Sequence, residues 1–321
     1  MDLIVKPGKA LKGEILIPGD KSISHRSIMC AALAEGDSII RGFLKGEDCL
    51  ATLDAFSKMG VNIDQHDNEI VVHGVGLQGL KKPDSDIYLG NSGTSMRLMS
   101  GLLCGQSFSS TLKGDASLSS RPMERIVTPL TAMGANISSS KGGCPPLEIN
   151  PSEKLKAFSY ELPIASAQVK SCILFSALGG NNISIINEII PTRNHSEIML
   201  KNMGVSIERE GSKIIVHPLK SKLKSIDISV PSDPSSAAFF AALAVINNNS
   251  NLKLTNVLLN ESRIGFVEVL NQMNCLISKS NESVHNGEKV GDLTISSSNL
   301  KAIEIKSETI PSIIDEVPIL A

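Results

Sequence analysis

The sequence predicts an α/β (α+β) protein of two domains assembled from repeated βαβαββ units, and three observations carry that prediction. Four segments look alike: "LDAFSKMGVNI", "VTPLTAMGANI", "IMLKNMGVSI" and "VEVLNQMNCLI". Their methionines, Met59, Met133, Met203 and Met273, are spaced by 74, 70 and 70 residues, the regularity of a repeat architecture. Each copy also has the same internal order of apolar helix, short strand, polar loop, second helix and strand pair. Finally, Pro18 and Pro231, 213 residues apart, both stand between a strand and the first helix of a unit ("LIPGDKS" and "SVPSDPSS"). They mark where the chain crosses between two three-unit domains.

The elements follow in order from local pattern. The first helix of each unit is apolar and rich in small residues, at 27–34, 95–104, 169–178 and 237–246. A strand comes next, in "DSIIRGF", "SSTLKG", "NISIIN" and "NLKLTNV". The second helix ends in the methionine turn, where three of the four copies place Gly as a left-handed C-cap. A strand pair closes the unit, as in "VNIDQHDNEIVVHG" and "VSIEREGSKIIVHP". This order puts a complete domain at 18–231 and a discontinuous one at 1–17 plus 232–321. The chain stops inside the apolar segment "SETIPSIIDEVPILA" without a cap, so the second domain is expected to be truncated by about one unit, roughly 100 residues.

Composition limits the function. A chain of 321 residues, 41% hydrophobic and 20% charged, fits a soluble globular protein. A net charge of −2, two Tyr and no Trp leave neither the basic surface nor the stacking platforms that nucleic acid requires. Six cysteines without a CxxC pair or clustered Cys/His spacing read as small core residues of a reducing cytosol, not zinc ligands. The N-terminus has no uninterrupted apolar segment of a signal peptide, and the longest apolar run, 237–246, is too short for a bilayer. The expectation is a cytoplasmic protein with no membrane partner.

Several familiar motifs fail. Asp20 separates Gly19 from Lys21, so "PGDKS" is no Walker loop, and there is no GxGxxG, HExxH or GxSxG. No metal and no cofactor is expected. His25, with Ser22 and Ser24 beside it, lacks an orienting third group and reads as a capping arrangement.

What remains is a pattern of helix starts. "GDKSISHR", "GNSGTSMR", "ASAQVKS" and "PSDPSSA" open successive units about 70 residues apart, and free N–H groups with the positive dipole end make such places anion sites. Lys21, Arg26, Arg97 and Lys170 lie in first turns, where the dipole opposes a cation. A fault repeated at equivalent places is expected to be offset by an anionic ligand. Arg121 in "LSSRPMER" and Arg193 in "IPTRNHSE" sit in loops, where a planar guanidinium suits carboxylate or phosphate. Arg125 lies inside its helix and is expected to pair with a surface carboxylate.

Together "PGDKSISHR", "LGNSGTSMRL", "GDASLSSRPMERI", "ASAQVKS", "PTRNHSEIMLKNMG" and "PSDPSSAAFF" resemble the 5-enolpyruvylshikimate-3-phosphate synthase (3-phosphoshikimate 1-carboxyvinyltransferase) family over essentially the whole chain. The resemblance implies the two-domain enolpyruvyl transferase fold, with pseudo-threefold symmetry of βαβαββ units in each domain. It implies a monomeric transferase of the shikimate pathway of chorismate and aromatic amino acid biosynthesis. Such an enzyme moves the enolpyruvyl group of phosphoenolpyruvate to the 5-hydroxyl of shikimate 3-phosphate through a tetrahedral adduct. By the same resemblance Lys21 touches both substrates and donates a proton, and Asp315 holds the shikimate hydroxyls and accepts one. Ser22, Arg26, Ser166, Ala167, Gln168 and Arg193 match the shikimate 3-phosphate side. Gly93, Thr94 and Arg121 match the phosphoenolpyruvate pocket, which Gln168 also reaches. The family's later Lys-Glu pair and C-terminal Arg and Lys fall beyond Ala321, so weak binding and poor turnover are expected of this chain. Two other readings stand beside this one. The sister UDP-N-acetylglucosamine enolpyruvyl transferase usually carries a Cys in the loop matching "GDASLSSRPME", which has none here. A non-catalytic anion- or RNA-end-binding module would need basic and aromatic surface.

Overall fold

The computed structural model describes residues 4, 8–153, 155–307 and 309–321; residues 1–3 and 5–7 of the 1–17 segment lie outside the described residues. The chain divides into two compact units, Lys21–Val230 and the residues up to Asp20 together with Pro231–Ala321.

The elements run β1 (Lys12–Leu16), α1 (Lys21–Leu33), β2 (Glu35–Arg41), α2 (Glu47–Lys58), β3 (Asn62–Gln65) and β4 (Glu69–Val75). Next are β5 (Ile87–Tyr88), α3 (Gly93–Leu103), β6 (Ser110–Lys113), α4 (Ala116–Ser119), α5 (Glu124–Ala132), β7 (Asn136–Ser139) and β8 (Leu147–Asn150). The third repeat is β9 (Ser159–Glu161), α6 (Ala167–Ala177), β10 (Ser184–Asn187), α7 (His195–Asn202), β11 (Ile207–Glu210) and β12 (Lys213–Val216). The last comprises β13 (Asp227–Ser229), α8 (Pro234–Ile246), β14 (Asn251–Leu258), α9 (Gly265–Gln272), β15 (Leu276–His285), β16 (Glu288–Ser296) and a terminal turn, α10 (Val317–Leu320).

Four four-stranded sheets share one topology: β13-β2-β4-β3, β5-β6-β8-β7, β9-β10-β12-β11 and β1-β14-β16-β15. In each, the first pair is parallel and the others antiparallel. The strands in front of α1 and α8 are exchanged. β1 pairs with β14, and β13 pairs with β2. The exchange happens at the two proline junctions, where the Asp20 amide donates to Pro231 O at 2.7 Å and the Asp233 amide to Pro18 O at 2.9 Å.

The repeat is also visible in single dihedral angles. The residue after each turn methionine has positive φ, 84° at Gly60, 92° at Gly134, 99° at Gly204 and 72° at Asn274. Asn is the side chain best able to replace Gly in that conformation.

The first helices begin several residues ahead of the apolar runs, because Ser92, Ser166 and Asp233 cap α3, α6 and α8 through side-chain oxygens. In unit 21–230, α1, α3 and α6 are buried along nearly their whole length, polar side chains such as Ser24, His25, Arg97 and Lys170 included. α3 packs on both α1 and α6. The other unit has a separate core of Leu252, Leu254, Phe266, Leu293 and Ile295 under the alanine face of α8, each large side chain contributing about 1.5–3 kcal/mol. Cys30, Cys49, Cys104, Cys172 and Cys275 are buried, and burial pushes the Cys30 and Cys104 thiols up to about 12. Among the described residues no helix is long and apolar enough to cross a membrane.

One exposed cross-strand cluster makes stability depend on pH. His73 on β4 meets Asp37 of β2 (Nδ1–Oδ1 2.7 Å) and Asp64 of β3 (Nε2–Oδ2 3.0 Å). Hydrogen bonds to Asp64, then to Asp37, raise its pKa above 6.5. A pKa raised in the folded state gives stability that is full below the unfolded value and lost as pH rises through the folded one. An NMR titration should place the His73 midpoint above that of a free imidazole, and Asp64→Asn should return it toward 6.5.

Candidate active site

The arginines of the second repeat and the first turn of α6 form one constellation inside unit 21–230. The Gln168 amide bridges two helix starts: its Nε2 donates to Thr94 Oγ1 at 3.0 Å, and its Oε1 accepts from Arg97 Nη1 at 2.7 Å. Arg97 Nη1 also reaches Gly93 O at 3.3 Å. Arg121 Nη2 donates to Asn91 Oδ1 at 2.5 Å, and Asn91 Nδ2 donates to both Asp115 oxygens, at 2.8 and 3.1 Å. Asp115 is fixed in turn as the N-cap of α4, accepting from the Leu118 amide at 2.7 Å. That bond, then Asn91, and beyond them the Arg121 charge hold its carboxyl below the usual range. Arg121 is therefore aimed by a chain of hydrogen bonds anchored on an ionised carboxylate.

Arg97 is 4% exposed and has no carboxylate partner among the described residues, while its Nε has no hydrogen-bond partner there. Burial, then the charges of Arg125 and Arg121, push its pKa down to about 10. A buried guanidinium with cationic neighbours is costly unless an anion arrives. Gly93 makes the space. A Cβ there would stand 2.8 Å from Arg97 Nη1 and 3.2 Å from Arg121 Nη1. Both are ends of flexible side chains, so Gly93→Ala should leave unfolding within about 0.5 kcal/mol of the parent while turning both guanidiniums aside. Calorimetry with inorganic phosphate as the probe should show about tenfold weaker anion binding, about 1.4 kcal/mol.

The remaining residues lie as follows. Lys21 opens α1, half-exposed and paired with Asp48. Ser22 is half-buried, and its carbonyl accepts from Arg26 Nη1 at 2.9 Å. Arg26 is 2% exposed, its Nε donating to Ser196 Oγ at 2.7 Å and its Nη2 to Ser171 Oγ at 3.0 Å. Ser166, Ala167 and Arg193 are half-buried. Asp315 is exposed in the turn before α10 and belongs to the other unit.

Three expectations are corrected. Lys170 awaits no ligand: it is fully buried, with Glu188 and Glu197 oxygens each 2.8 Å from its Nζ. Arg125 is exposed but pairs with no carboxylate among the described residues; its charge acts on Arg97. His25 does not cap with its serine neighbours, because its Nδ1 faces Thr52 Oγ1 at 2.7 Å and Ser95 Oγ at 3.2 Å. Arg97, Asn91 and Asp115 are the contributors that the sequence patterns did not assign to a substrate. For Arg97 the signal was present, a cation in a first turn.

The chain is similar to known proteins over nearly its whole length. An enolpyruvyl transferase from Streptomyces tendae, NikO, superposes with a TM-score of 0.76 at 14% identity, covering 98% of this chain and 72% of its own. The likeness defines the fold class, that of the enolpyruvyl transferases. The family model for EPSP synthase (3-phosphoshikimate 1-carboxyvinyltransferase) matches residues 5–321. A 3-phosphoshikimate 1-carboxyvinyltransferase of Alkalilimnicola ehrlichii is 49% identical over 321 residues, all of this chain and 72% of its own length. That of Hydrogenovibrio crunogenus is 47% identical over 98% of this chain and 72% of its own. The EPSP synthase of Acinetobacter baumannii has a TM-score of 0.90 at 48% identity, covering 97% of this chain and 72% of its own. The chain belongs to the EPSP synthase family.

Proposed function

We propose that this chain acts as a 3-phosphoshikimate 1-carboxyvinyltransferase, moving the enolpyruvyl group of phosphoenolpyruvate to the 5-hydroxyl of shikimate 3-phosphate and releasing phosphate. It works as a cytoplasmic monomer without metal or organic cofactor. Family membership supports the reaction, and the observation that carries it in the structure is the buried Arg97 beside Arg121, with no carboxylate partner among the described residues. Each substrate brings a phosphate and a carboxylate, so unbalanced cations at helix starts suit them.

In this reading Gly93, Thr94, Arg121 and Gln168, joined by Arg97, take phosphoenolpyruvate. Ser22, Arg26, Ser166, Ala167, Gln168 and Arg193 take shikimate 3-phosphate, and Lys21 serves both. The Lys21 ammonium protonates the methylene carbon of phosphoenolpyruvate as the 5-hydroxyl oxygen bonds to C2 and gives its proton to Asp315. Breaking the C2–O bond to phosphate, which leaves with the proton taken up by Asp315, and return of a methyl proton to the neutral Lys21 amine then restore the double bond. Excluding water strengthens each of these charges.

Titration with shikimate 3-phosphate, then with phosphoenolpyruvate, and a phosphate-release assay test the reading. Shikimate 3-phosphate should bind, and phosphoenolpyruvate should bind more tightly in its presence. Phosphate release with UDP-N-acetylglucosamine instead would overturn it.

A further inference from the structure

The cluster that neutralises Lys170 has no role in the chemistry above, yet it is among the most buried charged groups of the unit. Glu188 gathers four donors on one carboxylate. Its Oε1 takes Lys170 Nζ at 2.8 Å, the Thr192 amide at 2.9 Å and Thr192 Oγ1 at 2.5 Å, and its Oε2 takes Arg209 Nη2 at 2.9 Å. Lys170 Nζ is also 2.8 Å from Glu197 and donates to Thr192 O at 3.2 Å. Burial raises the Glu188 pKa, but Lys170 and the hydrogen bonds outweigh it and hold the carboxyl below its ordinary value. Two cations and two carboxylates balance, so the cluster has no spare charge for a ligand.

Charge burial is weak evidence for stability, since apolar side chains of similar volume often serve as well. What the cluster supplies is a fixed backbone. Thr192 is held at its amide, its carbonyl and its hydroxyl, in a connection that has no regular structure and exposes Ile189 and Ile190. Four residues on, Ser196 Oγ is held by Arg26 Nε at 2.7 Å and donates to Ser171 Oγ at 2.8 Å. Arg193 lies between these two anchors. Lys170 and Ser171, one for each anchor, are neighbours on α6, the helix whose first turn carries Ser166, Ala167 and Gln168.

We propose that the cluster of buried Lys170, Glu188 and Glu197 with the partly exposed Arg209 is a positioning device that acts through Thr192 to set the direction from which Arg193 reaches a phosphorylated, carboxylated ring substrate. The assignment of a substrate to Arg193 rests on the function proposed above; the order of the connection does not.

Two measurements separate the two. Without ligand, limited trypsin digestion read by mass spectrometry should cut the Arg193–Asn194 bond several-fold faster in Thr192→Val and Glu188→Gln than in the parent, with melting temperature almost unchanged in Thr192→Val. With shikimate 3-phosphate as the calorimetric probe, Thr192→Val should weaken binding about fivefold in the parent and not at all in an Arg193→Gln background. Phosphoenolpyruvate affinity should be unchanged. Equal cleavage rates, or additive effects of Thr192→Val and Arg193→Gln, would overturn the inference. Faster cleavage of the variants, together with a parent that does not bind shikimate 3-phosphate, would keep the positioning and reject the substrate.

Discussion

Arg97→Met should make the protein more stable and cripple its anion site at once. The guanidinium is 4% exposed, has no carboxylate within reach among the described residues, and its pKa is pushed down to about 10. A base whose folded pKa lies below its unfolded one costs stability at every pH below the folded value. At neutral pH that cost is present in full. Methionine fills a similar volume without charge, so urea unfolding should show a gain of about 1 kcal/mol or more, about 2–4 °C in Tm for a unit of this size. The loss appears in binding: phosphoenolpyruvate affinity should fall by about 2–5 kcal/mol, the scale for a buried charged contact. Gln168 then loses the donor at 2.7 Å that orients it. A destabilised Arg97→Met with unchanged affinity would show that Arg97 serves packing instead.

The second large effect is on folding. Arg263, 3% exposed, places Nη1 2.7 Å from Asp20 and Nη2 3.3 Å from Asp233. Burial disfavours its charge, but Asp20 and Asp233 together raise its pKa above the ordinary arginine value. Asp20 is fully buried, and Asp233 accepts the Ser235 and Ser236 amides that begin α8. Arg263→Met leaves carboxylates buried without their cation, which costs about 3–5 kcal/mol. Differential scanning calorimetry should resolve an early transition from the unit built on β1 and β14–β16. Adding Asp20→Asn and Asp233→Asn should recover part of the loss, because neutral amides need no counter-charge. An unchanged melting profile for the single variant would show that the triad contributes little.

Much of the fold was legible in the sequence because its signals are local. The 70-residue period, the apolar first helices and the left-handed turn residue each depend on neighbours within one or two turns, and a repeat shows each of them several times. The start of α3 lies two residues ahead of the apolar run that marked it, at the Ser92 cap, while "GNSGTSMR" was legible as a helix start with Arg97 in its first turns. The exchange of β1 and β13 between sheets is a different kind of fact. A strand of three to five residues fits either partner, and only the paired backbone at Pro18 and Pro231 decides it.

The charges divide along the same line. By itself the sequence determined the repeated unit, the helix starts that favour anions, and the set of cations that could serve them. Tertiary structure alone decided which of those cations is already satisfied: Lys170 is neutralised by Glu188 and Glu197, while Arg97 has no carboxylate partner among the described residues. The physical reason is range. Helix and turn signals act over a few residues, whereas a buried charge is paid for by partners that only folding brings within 3 Å.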